Sequence, residues 1–198
     1  MDNTEITLDY YNKQADKFSE GTQNINFSAL QNEFCSYLPK NAHILDLGCG
    51  AGRDSKAFMD SGYKVTAMDG SPELCKVAEK FIGQEVICST FQNYDPSETF
   101  DGIWACATLL HLDYNDIVNV MNKLAKKLKD GGCFYASFKY GDFSGVRNGR
   151  FFQNMTTDEF NNLLEKMPNY EIVSSKITSD VRPGREEEKW LNVFLKKK

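Results

Sequence analysis

The sequence predicts an α/β fold with a doubly wound, mostly parallel sheet and helices on both faces, and three observations support it. The apolar residues of segment 44–47 suit a short strand buried on both faces, and a glycine-rich turn follows at once. Strand and helix patterns alternate from that turn onward. A second predicted strand ends in Asp69, an acidic residue where this architecture places its ligand crevice.

The predicted elements follow one another without a repeat or a linker. Amphipathic helices are expected at 7–20 and 27–38, before the sheet. Strands are expected at 44–47, 63–69, 85–88, 100–106, 133–138, 170–178 and 189–195. Further helices are expected at 53–61, from Pro72 onward, at 115–129 and at 156–167, and the aperiodic stretch 141–155 is expected to be a loop. We therefore expect one domain, 1–198, with N-terminal helices in 1–38 and the core in 40–198.

Composition and charge argue against several classes of protein. No apolar run approaches the roughly 18 residues that a membrane helix needs. The net charge of −5 does not suggest a general nucleic-acid-binding protein. The first residues are acidic and polar, unlike a targeting signal, so a cytoplasmic location is expected. The six cysteines lack C-x-x-C spacing and only two histidines are present, so no metal site is expected.

The turn after the first strand has the pattern Asp46-x-Gly48-x-Gly50-x-Gly52. Its glycines remove side chains from the turn, so a ligand can lie against bare backbone. The free N–H groups at the start of the next helix would face the same ligand. A dinucleotide site would need its third glycine at position 53, where the chain has Arg53. The turn therefore predicts a nucleotide-type site that is not a dinucleotide site.

Asp69 ends the second strand and is followed by Gly70 and Ser71. It lies 21 residues after Gly48, close to the spacing of about 20 residues expected for a side chain that binds a ribose. The alternative is an ordinary turn or helix-cap residue.

Four motifs in this order resemble the class I S-adenosylmethionine-dependent methyltransferases. They lie at 46–52, 69–72, 100–104 and 128–132. The chain looks closest to small stand-alone, bacterial-type members of that group, from about residue 40 to its end. The resemblance implies a Rossmann-like sheet of seven strands whose last strand is antiparallel. It also implies the cofactor S-adenosyl-L-methionine, bound by Asp46, Gly48, Gly50, Gly52 and Asp69.

Further candidates for cofactor binding lie beside these motifs or in the N-terminal helix. They are Cys49, Arg53, Gly70, Ser71, Phe91 and Tyr11. In many small members of the family a tyrosine-rich N-terminal helix closes over the cofactor, which suggests Tyr10 and Tyr11 as lid residues. The alternative is a helix that packs on the sheet edge, and Phe91 could equally be a core residue.

The acceptor site is predicted from the direction of the strands. A strand at 170–178 that runs parallel to the core would deliver the turn 179–190 to the active face. The candidate acceptor-site and catalytic residues on that face are Arg182, Arg185, Lys139, Tyr140 and His111. Arginine suits carboxylate or phosphate, so we expect an anionic acceptor, and Arg147 and Arg150 could join. The alternative is a solvated turn whose charges pair with one another.

Three functions remain open from the sequence. The first is direct methyl transfer to a small, anionic acceptor, with His111 or Tyr140 taking a proton. The second is modification of RNA such as tRNA, and the third is a non-catalytic subunit that binds the cofactor beside a partner. Segment 105–111 lacks the Asn/Asp-Pro-Pro run of nucleic-acid amino methyltransferases, and Ala105 precedes Cys106 where cytosine C5 enzymes have Pro-Cys. No membrane partner is expected, and the chain could be a monomer or a homodimer.

Overall fold

The computed structural model describes residues 2–198. The helices are α1 (Asn3–Glu20), α2 (Ser28–Ser36), α3 (Arg53–Asp60), α4 (Pro72–Ile82), α5 (Tyr114–Ala125) and α6 (Thr157–Leu164). The strands are β1 (His43–Leu47), β2 (Lys64–Asp69), β3 (Val86–Cys88), β4 (Phe100–Ala105), β5 (Leu128–Lys139), β6 (Ser144–Arg147), β7 (Arg150–Gln153), β8 (Tyr170–Ser179) and β9 (Lys189–Lys197). A short 3-10 helix, Leu109–His111, follows β4.

Seven strands form the main sheet, in the order β3-β2-β1-β4-β5-β9-β8. The pairs from β3 to β5 are parallel, whereas β9 is antiparallel to both β5 and β8. Strand β8 therefore runs in the direction of the core strands. The predicted fold is confirmed, including the antiparallel last strand. The chain order reverses between β1 and β4, which opens a crevice at their carboxyl ends.

Apolar side chains alternate between the two faces of the sheet and build a core on each. Leu45 and Ile103 belong to the core that α5 and α6 cover. Ile44 and Trp104 belong to the core that α2, α3 and α4 cover. Trp104 stacks on Tyr135 with ring centroids 3.9 Å apart. Helices thus cover both faces, as the sequence predicts.

The prediction of a loop at 141–155 is wrong, because this stretch contains the hairpin β6–β7. Its turn is formed by Asn148 (φ 52°) and Gly149 (φ 76°), both in the left-handed region. Asn-Gly is the dipeptide preferred in two-residue hairpin turns, since both central positions need positive φ. That dipeptide was the missed signal.

Two predicted helix ends are also wrong. Helix α5 ends at Ala125 instead of residue 129, and Leu128 already pairs with Phe100 as the first residue of β5. The register shifts after that pair, and Gly131 within the strand has a φ of 75°. The glycines that predicted the end of a helix therefore form an irregularity inside a strand. Helix α6 ends at Leu164, about one turn before the predicted end.

All six cysteines are free thiols. Among residues 2–198, no helix is long and apolar enough to cross a membrane. The same residues contain no cluster of His, Cys, Asp or Glu that could hold a metal ion.

Candidate active site

A cavity of about 930 Å³ lies at the carboxyl ends of the parallel strands. The glycine turn after β1 and the end of β2 line one part of it. The 3-10 helix, the hairpin β6–β7, the β8–β9 connection and α1 line the rest. The cavity therefore occupies the crevice at which doubly wound folds bind their ligands.

The glycines of the turn serve different purposes. Gly48 and Gly50 line the cavity and have φ values of 74° and 56°. A Cβ on Gly48 would lie 2.0 Å from Thr108 Oγ1, so no side chain fits there. Gly52 does not line the cavity, and a Cβ there would lie 2.8 Å from Ile82 Cγ2. Gly52 thus permits close packing of the turn against α4, and its predicted contact with the cofactor stays a prediction.

Asp69 holds the glycine turn in place and lines the cavity. Its side chain is only 8% exposed, and it accepts hydrogen bonds from the backbone N–H groups of Gly50 (2.9 Å) and Ser71 (2.8 Å). Burial raises the pKa of Asp69, and the backbone N–H groups oppose that rise. Gly70 also lines the cavity, where a Cβ would lie 2.8 Å from Leu8 Cδ2.

Two predicted cofactor residues support the turn from behind. Asp46 is buried and does not line the cavity; its Oδ2 accepts a hydrogen bond of 2.6 Å from Ser55 Oγ in α3. Burial and the nearby charge of Asp54 raise the pKa of Asp46. Ser71 caps α4 by accepting from Leu74 N and does not line the cavity either. Direct contact of either residue with a cofactor stays a prediction.

Arg53 and Asp54 form a partly buried ion pair at the start of α3. Arg53 donates to both carboxylate oxygens of Asp54 at 2.8 Å, and its guanidinium lies 4.4 Å from the ring centroid of Phe27. Burial would raise the pKa of Asp54, but Arg53 and hydrogen bonds from Trp104 and Gln31 outweigh it and lower the pKa. Arg53 lines the cavity, as does Cys49 of the turn.

Helix α1 and the segment after it cover the glycine turn. Leu8, Tyr11 and Phe18 line the cavity from α1, and Phe18 Cε1 would lie 3.1 Å from a Cβ on Gly50. Gln23 donates to the carbonyl of Ala51 at 3.0 Å. This placement is that of a cover over the site, and its opening and closing remain a prediction.

His111 and Tyr11 form a hydrogen-bonded pair inside the cavity. His111 Nδ1 lies 2.7 Å from the carbonyl oxygen of Phe151, which can only accept, so Nδ1 carries the proton. His111 Nε2 is then free to accept from the Tyr11 hydroxyl at 2.9 Å. Burial lowers the pKa of His111 to about 4, so the ring is neutral at pH 7. Burial also raises the pKa of Tyr11, whose hydroxyl accepts from Arg150 Nη1 at 3.4 Å.

The three main acceptor-site cations predicted from the sequence line the cavity, and each has a carboxylate partner: Arg182, Arg185 and Lys139. The two further candidates, Arg147 and Arg150, also line the cavity but have no carboxylate partner among residues 2–198. Arg182 donates through Nε to Asp180 at 2.9 Å, and Asp180 also accepts from the indole N–H of Trp190. Arg185 pairs with Glu188 at 3.3 Å, and Lys139 pairs with the same carboxylate. The charges of the 179–190 turn therefore pair with one another, as one interpretation of the sequence expected, but they do so at the cavity wall.

Two more predicted residues lie at the cavity wall. Phe91 is partly buried against the main core, and its Cζ would lie 3.2 Å from a Cβ on Gly48. Tyr140 is 39% exposed at the cavity rim. Analysis of the sequence missed the pairing of Tyr11 with His111, because residues 100 positions apart carry no local signal of contact.

Comparison with known proteins identifies the domain. Residues 44–132 match the family described as "Methyltransferase domain". A ubiquinone biosynthesis O-methyltransferase of Xanthomonas campestris pv. campestris (strain B100) is 31% identical over 103 residues, 48% of this chain and 42% of that enzyme. Residues 44–132 are thus similar to a methyltransferase domain. It spans less than half the length of the curated relatives that it matches.

Solved structures of methyltransferases share the fold of this chain. A 1,6-didemethyltoxoflavin N1-methyltransferase of Burkholderia thailandensis, solved with S-adenosylhomocysteine, has a TM-score of 0.74 at 21% identity over 96% of this chain and 84% of its own. Magnesium protoporphyrin IX methyltransferase of Synechocystis PCC 6803, solved with S-adenosylmethionine, has a TM-score of 0.72 at 16% identity, covering 100% of this chain and 98% of its own. The predicted resemblance to class I S-adenosylmethionine-dependent methyltransferases is confirmed.

Proposed function

We propose that this chain transfers the methyl group of S-adenosylmethionine directly to a small, anionic acceptor. The observation that carries the proposal is the glycine turn joined to Asp69 at the crevice of a methyltransferase domain. S-adenosylmethionine supplies a methyl group on a positively charged sulfur, which a nitrogen or oxygen nucleophile can attack.

The residues of the turn fit this cofactor. Gly48, Gly50 and Gly70 offer backbone without side chains to the cavity, and a Cβ at each would meet a neighbour within about 3 Å. Asp69 offers carboxylate oxygens that suit the two hydroxyls of a ribose. Tyr11 and Phe18 of α1 cover this end of the cavity and would exclude water once the cofactor is bound.

The residues at the acceptor end of the cavity are suited to positioning the acceptor and not to acting as a strong general base. The neutral His111 is a weak base because of its low pKa, and its Nε2 already accepts from Tyr11. A proton that leaves the acceptor can reach His111 through Tyr11, whose oxygen takes it as the hydroxyl gives its own proton to Nε2. The main contribution of the chain is then to hold acceptor and methyl group in line.

Several observations favour a small acceptor over RNA. The cavity is bounded by α1, the hairpin β6–β7 and the β8–β9 connection. A phosphate track would need several unpaired cations, and three of its five candidates pair with carboxylates: Lys139, Arg182 and Arg185. Only Arg147 and Arg150 of that set lack such a partner among residues 2–198. The Burkholderia thailandensis neighbour was solved with a small molecule, 1,6-didemethyltoxoflavin.

Methyl transfer from S-adenosylmethionine with a radioactive methyl group tests the proposal. The purified chain is incubated separately with a low-molecular-weight cell extract and with total tRNA. We expect label in an anionic product of low mass and none in tRNA. Label in tRNA alone would support the RNA-modifying alternative. Tight binding of S-adenosylhomocysteine without transfer to either pool would support the non-catalytic alternative.

A further inference from the structure

Arg150 is the partly buried cation of the cavity that lacks a counter-charge. Arg147 and Lys189 line the same cavity without a carboxylate partner among residues 2–198, but both are exposed. Arg53, Lys139, Arg182 and Arg185 each pair with a carboxylate. Arg150 lines the same cavity, and none of the ion pairs among residues 2–198 includes it. A partly buried cation without a counter-charge is unfavourable, and a bound anion would relieve that cost.

Aromatic rings hold the Arg150 guanidinium in place. Its central carbon lies 4.4 Å from the ring centroid of Tyr10, 5.0 Å from that of Phe152 and 5.7 Å from that of Tyr11. Such contacts stabilise a cation without using its N–H donors. Nη1 donates to Tyr11, whereas Nε is buried and has no hydrogen-bond partner. The guanidinium group of Arg150 is thus fixed in orientation, and most of its five N–H donors have no hydrogen-bond partner in the protein.

Strand β7 and Asn154, the residue directly after it, continue this pattern along the cavity wall. Arg150, Phe152 and Asn154 line the cavity, whereas the alternating residues 151 and 153 do not. Alternate residues of a strand lie about 6.6 Å apart on one face. Asn154 is only 7% exposed, and its Oδ1 is buried with no hydrogen-bond partner. One face of the strand, extended by the residue after it, therefore presents a cation, an aromatic ring and an amide in a row.

We propose that this face of β7 is the acceptor subsite and that Arg150 binds the acceptor's oxyanion. Phe152 would contact an apolar or aromatic body, and Asn154 would accept from an N–H or O–H group further along. The ligand class is a small carboxylate with such a body. This inference rests on the proposed function, and it assigns the anion to Arg150 in preference to the paired Arg182 and Arg185.

The subsite lies next to the proton path. Arg150 donates to the same Tyr11 hydroxyl that donates to His111, so an acceptor held by Arg150 reaches the Tyr11–His111 pair directly. Thr7 of α1 accepts from the backbone N–H of Phe151 at 3.1 Å, which fixes β7 beneath the covering helix.

Benzoate is a suitable probe, because it has a carboxylate and an aromatic body, and benzamide is its neutral counterpart. Each is titrated into the chain with and without saturating S-adenosylhomocysteine, while the arginine Nε–H signals are followed by NMR. We expect benzoate to shift the Arg150 signal saturably, with sodium chloride at equal ionic strength as the control. Benzamide should bind at least about tenfold more weakly, because it lacks the charge-assisted hydrogen bonds.

Variants separate Arg150 from the paired cations. Arg150→Gln should weaken benzoate binding at least about tenfold, and Arg150→Lys should restore part of it. Arg185→Gln, which removes a paired cation of the same cavity, should change it by less than about twofold. Equal benzoate affinity in Arg150→Gln and the parent chain, or no shift of the Arg150 signal by about 50 mM benzoate, would overturn the inference. Failure of S-adenosylhomocysteine to bind would instead overturn the proposed function, and benzoate binding to the free chain would still report on Arg150.

Discussion

Replacing Asp69 with asparagine should weaken the binding of S-adenosylhomocysteine by roughly ten- to a hundredfold. The carboxylate lines the cavity and accepts from the backbone N–H groups of Gly50 and Ser71. The hydrogen bond that we propose between Asp69 and a ribose hydroxyl would be charge-assisted and would contribute about 1.5–3 kcal/mol, which corresponds to that loss of affinity. The amide also turns an NH2 group toward one of the two backbone N–H groups, which leaves a buried donor unpaired. We therefore expect about 1–3 kcal/mol of lost stability as well.

Calorimetric titration and thermal unfolding on the same samples separate the two effects. Ser71→Ala is the control, because Ser71 caps α4 through its side chain and does not line the cavity. It should lower the free energy of unfolding by about 1 kcal/mol and leave the affinity within about twofold. Asp69→Asn with unchanged affinity and a comparable loss of stability would refute the reasoning, since Asp69 would then be a turn residue only.

Three more predictions follow from the site. Gly48→Ala should destabilise the fold and abolish cofactor binding, because the new Cβ would lie 2.0 Å from Thr108 Oγ1. Gly83→Ala is the control, since Gly83 has the same φ of 74° but faces open space; it should lower the free energy of unfolding, measured by chemical denaturation, by only about 1–2 kcal/mol. Burial lowers the pKa of His111 to about 4, so below pH 6.5 the unfolded chain binds more protons than the folded chain. The free energy of unfolding should therefore fall by up to about 3 kcal/mol between pH 6.5 and 4. His111→Gln should flatten this pH dependence, and an unchanged slope in that variant would contradict the prediction. Arg182→Ala should lower the unfolding temperature, because it leaves the buried carboxylate of Asp180 without its cation. It should reduce kcat/KM less than Arg150→Gln does and leave the affinity for S-adenosylhomocysteine within about twofold. A larger loss of kcat/KM in Arg182→Ala than in Arg150→Gln would contradict the prediction.

Short-range patterns made the position of the glycine turn and Asp69 at the cavity predictable. The glycine turn and Asp69 lie at the ends of two adjacent strands, and apolar runs of that kind predict strands well. The direction of β8 followed from the fold class, so the placement of the 179–190 turn at the active face was also predictable.

Long-range pairing could not be predicted in the same way. The sequence shows five cations near the active face but not which of them have carboxylate partners, because ion pairs depend on side-chain positions that only the folded chain defines. Arg182 lies two residues from its partner Asp180, whereas Arg150 packs against Tyr10, 140 residues earlier. The Asn148-Gly149 turn was a local signal, and recognising it would have placed Arg150 on a strand.

Parallel calorimetric titrations with S-adenosylhomocysteine and NAD test the central claim most directly. The third glycine of the turn lies one position too early for a dinucleotide site, and Arg53 stands where such a site needs a glycine. We expect S-adenosylhomocysteine to bind with one-to-one stoichiometry and NAD to give no heat above dilution. Tight binding of NAD together with no binding of S-adenosylhomocysteine would contradict the account.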